Sequence, residues 1–463
     1  MSIYKPCDIR GNASTELTPE LYRRWGKEIA RKAGAGSKVV VGGDVRGSTP
    51  AFLAGLVSGL TDGRADVVNL GILPTPMVYY AGRRLQAAGS AIVTASHSPA
   101  AINGLKWMLG ERSPTEDEVA SFEAAAGKAV RRSKNATEPR DLDISFDYVA
   151  WLQELWADVP PVSRPIVIDP MHGCWSCRAR RYLQAIFPHS FFSSIHDAPN
   201  GQFDGQDPDC SKAERLHDLS EEVDRQRAFL GIAFDGDGDR VAFVDDEGNM
   251  LTPDETAWVL LQSYADHWPG ETFVCDRRYS DKVAATARQF GAEVAVERPG
   301  HTFIRNRMIA ARAVFGAEIS GHYFFRELGG GDDGLFAACR MIAFLAHSDA
   351  ALSDLRRACP RFYVTPEIRV AGRAKEKKAA EKALRQTWPD AVQVHPGSVR
   401  VDFPKGWGLM RPSVTEAAIT FRFEAEDWLA LSDIVWRYCD ALGELGNELW
   451  LQYHAAMGVA EEP

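Results

Sequence analysis

Short apolar runs and amphipathic stretches alternate along most of this chain, the pattern of strands and helices in turn. Val39-Val40-Val41-Gly42-Gly43 reads as a buried strand, and Thr49-Pro50 places an N-cap before a proline that opens a helix. A second strand is expected over 65–70, Thr75-Pro76 opens the next helix, and a third strand over 90–94 runs into Ala95-Ser96-His97. This predicts a βαβαβ unit. The alternation recurs with strands over 165–169 and 229–234, a helix over 175–186, and a capping box at Thr252-Pro253-Asp254-Glu255. Further strands fit 272–275, 293–296 and 314–319, the last running into Ser320-Gly321-His322. Three α/β units each end a strand in a polar, glycine-containing loop, where ligands of open α/β sheets sit. The last hundred or so residues differ: a charged helix over 375–387, strands over 398–403 and 418–423 and a helix over 428–442 predict a smaller α+β domain.

At 463 residues the chain is too long for one core, and three or four domains are expected. A net charge of −10 argues against non-specific nucleic-acid binding, so an anionic ligand needs a local basic cleft. The first residues, Met1-Ser2-Ile3-Tyr4-Lys5-Pro6, begin no apolar leader, and no run is long enough to span a membrane. Only Cys174 and Cys177 among the scattered cysteines have CxxC spacing, which fits reduced thiols in a cytoplasmic protein.

Asp235, Asp237 and Asp239, followed by Arg240, are the sharpest chemical signal. Three carboxylates so close repel unless a cation holds them, and oxygen ligands on alternate positions suit a hard ion such as Mg2+. A calcium loop of EF-hand type fits poorly, because Arg240 stands where that loop needs glycine. Ser96 lies on a strand-to-loop turn where its hydroxyl can project, with His97 and Lys106 available to offset the charge of a phosphoserine. Glu318 and Ser320 alternate along a strand end and so share one face, suited to gripping vicinal hydroxyls. Arg411, Ser413 and Thr415 form a short phosphate-cradle loop.

These four loops, in this order, resemble those of the α-D-phosphohexomutases, most closely the phosphomannomutase/phosphoglucomutase branch. The resemblance covers nearly the whole chain and includes Cys7-Asp8-Ile9-Arg10-Gly11, Gly43-Asp44-Val45-Arg46 and Pro299-Gly300-His301-Thr302. It implies three similar α/β domains with mixed sheets and a smaller C-terminal α+β domain around one central cleft. Their expected spans are 1–142 with the phosphoserine loop, 143–250 with the metal loop, 251–362 with the sugar loop and 363–463 with the phosphate loop. It also implies that Ser96 carries the phosphoryl group and that Asp235, Asp237 and Asp239 bind Mg2+ together with that phosphate, beside Arg240. Catalytic roles are expected for Ser96, His97, Lys106, Arg240 and His301, with Lys106 and His301 as candidates for proton transfer. Substrate binding is expected of Arg10, Arg278, Glu318, Ser320, His322, Arg411, Ser413 and Thr415.

The implied activity interconverts hexose 1-phosphate and hexose 6-phosphate, for glucose and mannose, through a hexose 1,6-bisphosphate that is both intermediate and activator. The implied partners are small hexose phosphates, with neither nucleic acid nor membrane, and the implied state is a monomer or weak dimer. Ser98 and Val414 stand where the family usually has asparagine, and Ala417 where it has proline; Val414 removes a side-chain donor from the phosphate loop. Competing readings are a phosphoglucosamine mutase, whose branch usually has glutamine where Ile319 stands, a phosphatase and a non-catalytic sugar-phosphate-binding homologue.

Overall fold

The computed structural model describes residues 2–127, 136–372, 374–395, 397–413 and 418–458. The chain divides into two compact units, one of Met1–Tyr279 with Val283–Cys359 and one of Ser280–Lys282 with Pro360–Pro463.

The larger unit holds three mixed sheets. The first contains β1 (Ile9–Asn12), β2 (Lys38–Gly43), β3 (Asp66–Ile72), β4 (Gly89–Val93), β5 (Ile102–Leu109) and β6 (Arg140–Asp141), in the order β1-β5-β4-β2-β3-β6. Strands β3, β2 and β4 are parallel, and β5 runs antiparallel between β4 and β1. Its helices are α1 (Pro19–Ala33), α2 (Thr49–Asp62), α3 (Thr75–Arg84) and α4 (Glu116–Ala126). The Thr18 hydroxyl caps α1 by accepting the Leu21 N–H, and Pro19 supplies the fixed φ of a first helical residue. Helices α1 and α2 meet backbone to backbone, since a Cβ on Gly59 would overlap the Arg23 carbonyl. The core under this sheet gathers Trp25, Ile29, Val39, Val41, Leu56, Leu60, Trp107 and Phe122, all buried.

After α5 (Ser145–Leu155), the second sheet contains β7 (Ile166–Asp169), β8 (Phe192–Ser194), β9 (Leu230–Phe234) and β10 (Val241–Val244), with α6 (Ala179–Ile186) and α7 (His217–Gln226). Its order is β10-β9-β7-β8, and β9–β10 is the antiparallel pair. The third sheet contains β11 (Thr272–Asp276), β12 (Glu293–Glu297), β13 (Phe315–Glu318), β14 (His322–Phe325) and β15 (Gly331–Asp332) in the order β12-β11-β13-β14-β15. Helices α8 (Pro253–Gln262), α9 (Asp281–Gln289), α10 (His301–Ala311), α11 (Gly334–Ser348) and α12 (Leu352–Ala358) belong to this stretch. The expected capping box of Thr252 and Glu255 is formed at α8.

The three sheets share one device. In each, the last parallel strand reverses into an antiparallel neighbour: β4 into β5, β9 into β10 and β13 into β14. The polar loops singled out in the sequence are these three reversals.

The smaller unit holds β16 (Tyr363–Val364), β17 (Ile368–Ala371), β18 (Val392–His395), β19 (Ser398–Phe403), β20 (Gly406–Pro412) and β21 (Ala418–Ala425), all pairing antiparallel. With α13 (Ala374–Thr387), α14 (Trp428–Leu442) and α15 (Glu444–Met457) they enclose a core around Val399, Phe421, Phe423, Leu431 and Tyr438. This is the α+β arrangement expected.

Four expectations are corrected. Thr49 is not an N-cap: it lies inside α2, Ser48 precedes it, and its hydroxyl donates to Asp44 Oδ1. The helix expected over 175–186 starts only at Ala179, because 175–178 are turns and Cys177 takes a left-handed φ of 61°. Ser320 is not on a strand, since β13 ends at Glu318 and 319–321 turn into β14, so strand alternation does not place it. Arg411 lies in β20 and only Ser413 begins the following loop, while Val414 and Thr415 lie outside the described residues. Among the described residues no disulfide joins the cysteines, and no single helix is long and apolar enough to cross a membrane.

Candidate active site

The reversals of the first and second sheets meet. Ser96, fully buried rather than projecting into solvent, has a left-handed φ of 52°. Its Oγ donates to Asp235 Oδ2 at 2.8 Å and lies 3.2 Å from His97 Nδ1. Non-glycine residues hold such a backbone only where their surroundings enforce it, and functional loops are where this happens.

Asp235, Asp237 and Asp239 are all buried, and one carboxylate oxygen of each lies within 4.8 Å of the others. Asp235 Oδ1 accepts the N–H groups of Gly238 and Arg240. Gly238 has φ 80°, and a Cβ there would run into the Trp175 indole, whose Nε1 donates to the Gly238 carbonyl at 2.9 Å. Lys106, on β5, reaches in with Nζ 2.9 Å from Asp237 Oδ2 and 2.5 Å from Asp239 Oδ2. Thr75, the first residue of α3, donates its hydroxyl to Asp237 Oδ2 at 2.7 Å and its N–H to the Asp237 carbonyl. Asp237 Oδ1 and Asp239 Oδ1 remain buried with no hydrogen-bond partner among the described residues. Two orphaned carboxylate oxygens beside a third carboxylate fit a hard divalent cation.

Burial pushes the pKa values of Asp235 and Asp239 above the usual carboxylate range, and the neighbouring carboxylates add to it. Burial acts on Asp237 too, but the Lys106 ammonium and the bonds from Lys106 and Thr75 pull it below its ordinary value. Burial alone depresses the Lys106 ammonium; Asp237 and Asp239 outweigh it and hold its pKa well above normal. In this arrangement Lys106 carries a positive charge between two carboxylates.

Arg240 Nε donates to His322 Nε2 at 2.9 Å and lies 3.8 Å from Asp235 Oδ2. Accepting that bond requires a lone pair on Nε2, and the His322 pKa is pushed down to about 4, by burial first. His322 Nδ1 lies 2.7 Å from Asp332 Oδ2, without the alignment of a hydrogen bond. His301 stacks on His322 with ring centroids 5.6 Å apart. Both His97 and His301 are pushed well below the ordinary histidine value, by burial and then by nearby cations. A neutral imidazole therefore lies beside the serine at His97 and another beside Asp239 at His322, with His301 stacked on the latter.

The third reversal supplies Glu318 and Ser320. Arg278 Nη2 donates to Asp276 Oδ2 at 2.6 Å and to Glu318 Oε1 at 2.9 Å, which fixes that carboxylate. Glu318 Oε2 and Ser320 Oγ are buried with no hydrogen-bond partner among the described residues, as is His301 Nε2. Arg10, on β1, pairs with Asp8 at 2.8 Å and donates to Ser98 Oγ at 3.2 Å, so the serine at 98 has a partner of its own. In the smaller unit Arg411 Nη2 donates to Glu367 Oε2 at 2.6 Å, and the Ser413 N–H donates to the Ala418 carbonyl.

Sequence reasoning missed Thr75, Asp276 and Asp332 as site residues. The Thr75-Pro76 pair carried a signal, but it read as a helix start; Asp332 stands in the run Gly329-Gly330-Gly331-Asp332-Asp333-Gly334, which was passed over, and Asp276 sits in no pattern that distinguishes it.

Three domain models of one family match the chain: phosphoglucomutase/phosphomannomutase alpha/beta/alpha domain I over residues 2–128, domain II over 147–248 and domain III over 252–363. A phosphomannomutase/phosphoglucomutase of Pseudomonas aeruginosa is 30% identical over 430 residues, covering 92% of each chain. A phosphoglucomutase of Neisseria gonorrhoeae is 30% identical over 461 residues, covering 97% of this chain and 98% of that one. The solved structure of a phosphoglucomutase/phosphomannomutase family protein from Burkholderia thailandensis superposes with a TM-score of 0.83 at 27% identity, covering 99% and 98% of the two chains.

Proposed function

The chain belongs to the phosphoglucomutase/phosphomannomutase family, and from that premise we propose that it is an intramolecular phosphotransferase interconverting the 1- and 6-phosphates of glucose and mannose. The observation that carries this reading is the Ser96 hydroxyl bonded at 2.8 Å to Asp235, beside the orphaned oxygens of Asp237 and Asp239.

Ser96 Oγ carries the phosphoryl group. A free sugar hydroxyl attacks it: the P–Oγ bond breaks with its electron pair on Oγ and a sugar O–P bond forms, while the hydroxyl proton passes to a neutral imidazole, for which His97 and His301 are available, and a proton returns to Oγ from the His97 side, 3.2 Å away. The bisphosphate turns over, its other phosphoryl group returns to Ser96 Oγ, and the isomeric monophosphate leaves. Arg240 and Lys106 are fixed cations that offset the charge of the transferring group. Glu318 and Ser320 present buried, unsatisfied oxygens suited to sugar hydroxyls. Asp235, Asp237 and Asp239 would hold Mg2+, which when bound supplies electrostatic stabilisation of the phosphoryl oxygens.

Ser96→Ala should lower turnover of glucose 1-phosphate and mannose 1-phosphate by about three orders of magnitude, or about 4 kcal/mol of barrier, in a coupled assay primed with bisphosphate. Near-normal turnover by that variant would remove Ser96 from the mechanism. Release of inorganic phosphate in place of isomer would make the protein a phosphatase.

A further inference from the structure

Arg46 and Asp44 form an ion pair at 2.9 Å with side chains 0% and 1% exposed, outside the metal, sugar and phosphate loops. The Arg46 guanidinium uses all five of its N–H groups. Nε donates to Asp44 Oδ2, Nη1 to the carbonyls of Pro99 and Ile102, and Nη2 to the carbonyls of Ser96 and Ser98. Four of the five acceptors are thus backbone oxygens, three in the loop after β4 and one on Ile102, the first residue of β5. The Phe203 ring from the second domain lies 5.0 Å from the guanidinium.

Asp44 reaches the same loop from the other side. Its Oδ2 accepts the Thr94 hydroxyl at 2.8 Å, and that hydroxyl oxygen accepts the Ser96 N–H at 2.9 Å. Both backbone polar groups of Ser96, its N–H and its carbonyl, are tied to one buried ion pair, and between them lies the left-handed φ of 52°. That backbone is what turns Oγ onto Asp235.

We propose that Arg46 is a positioning residue for phosphoryl transfer, clamping the Ser96 backbone with Asp44 so that Oγ is held against the metal-binding carboxylates. The inference rests on Ser96 being the phosphorylated residue. Donation and return of the phosphoryl group both need Oγ at the same point, so a loosened clamp slows both half-reactions. Sugar recognition by Glu318 and Ser320 uses another loop and is left largely intact.

Two full-length variants test this: Arg46→Lys, which keeps the charge but offers three donors for five acceptors, and Thr94→Val, which removes only the relay to the Ser96 N–H. For Arg46→Lys, kcat and the single-turnover transfer from phosphorylated protein to glucose 1-phosphate should fall about 100-fold, with KM held within about threefold. Thr94→Val should lower both rates about tenfold. Deuterium uptake should rise in peptides covering 94–102 and stay unchanged in those covering 315–325. Rates within about threefold of wild type in a folded Arg46→Lys variant would overturn the proposal. So would unchanged uptake over 94–102. Should Arg46→Lys fail to fold, the same readouts on Thr94→Val decide. Mass spectrometry of active wild type keeps the two readings apart: no phosphate on Ser96 overturns the function as proposed and the clamp's catalytic role with it. Normal phosphorylation with an unaffected Arg46→Lys variant overturns the clamp alone.

Discussion

Replacing Lys106 by methionine should move fold stability and cation affinity in opposite directions. The ammonium is buried, 2.9 Å from Asp237 Oδ2 and 2.5 Å from Asp239 Oδ2, with its side chain 3% exposed. Methionine keeps the length and removes the charge. Leaving buried carboxylates without their cation typically costs about 3–5 kcal/mol. The Thr75 hydroxyl stays on Asp237, which favours the lower part of that range. In EDTA, Lys106→Met should therefore unfold at lower urea than wild type by an amount equivalent to about 3 kcal/mol. The same change removes a positive charge from beside the orphaned Oδ1 atoms. At an effective dielectric constant of about 20, a unit charge a few ångströms away is worth about 4 kcal/mol, and relaxation takes back part of it. A gain of about 1.4–2.8 kcal/mol, a tenfold to hundredfold tighter Kd for Mg2+ or Mn2+, is the net expectation by titration calorimetry. Saturating Mg2+ stabilises both proteins, so it should close the stability gap by the difference in their affinities, the same about 1.4–2.8 kcal/mol. A variant merely damaged would lose both stability and affinity. A variant as stable as wild type in EDTA, or one that binds Mg2+ more weakly, would refute the reasoning.

Two further outcomes are expected. Glucose 1-phosphate and mannose 1-phosphate should differ in kcat/KM by at most about a hundredfold, or about 3 kcal/mol, because a bisphosphate bound in two flipped poses can be gripped in both only through O3 and O4; a difference above about a thousandfold would mean a direct contact to the C2 substituent. Stability should depend on pH through His196, whose pKa is raised by its hydrogen bond to Asp169 and by Asp218, against desolvation and Arg215, with the His172 ring 5.2 Å away. A raised histidine pKa contributes stability that is complete below about 6.5 and lost as pH climbs through the folded value. The gap in urea midpoint between wild type and His196→Gln should accordingly be wide at pH 6 and narrow at pH 8, and a gap that stays constant would exclude the linkage.

The reversal loops were legible in the sequence because each puts polar residues at the end of a strand signal, with glycine as well in the second and third. The strand β5 was not: Asn103 and Lys106 interrupt its apolar run, and both are buried because distant groups satisfy them. Thr75 illustrates the same limit. Its place before a proline predicts a helix start, and α3 does start there, yet its hydroxyl is spent on Asp237, 162 residues away. Ser320 was assigned to the right loop for a wrong reason, since it lies in a turn and not on the strand. Arg46 stood out only as part of Gly43-Asp44-Val45-Arg46 and without a role, because its loop acceptors are backbone carbonyls and a carbonyl has no residue type.

The separation of Ser96 from Asp235 also sets a schedule for biosynthesis. The serine loop belongs to the first sheet, and its carboxylate partner lies 139 residues further along. At about 5–20 residues per second, a ribosome needs about 7–28 s to cover that stretch. For that interval a nascent chain can hold the first sheet, with Arg46 already on the serine loop, while the carboxylates that meet Ser96 do not yet exist. Such a chain has a serine and no cation site. With Ser96 in the role proposed for it, phosphoryl chemistry begins only after the second sheet has emerged and folded against the first, which makes the activity a late event in the life of each molecule.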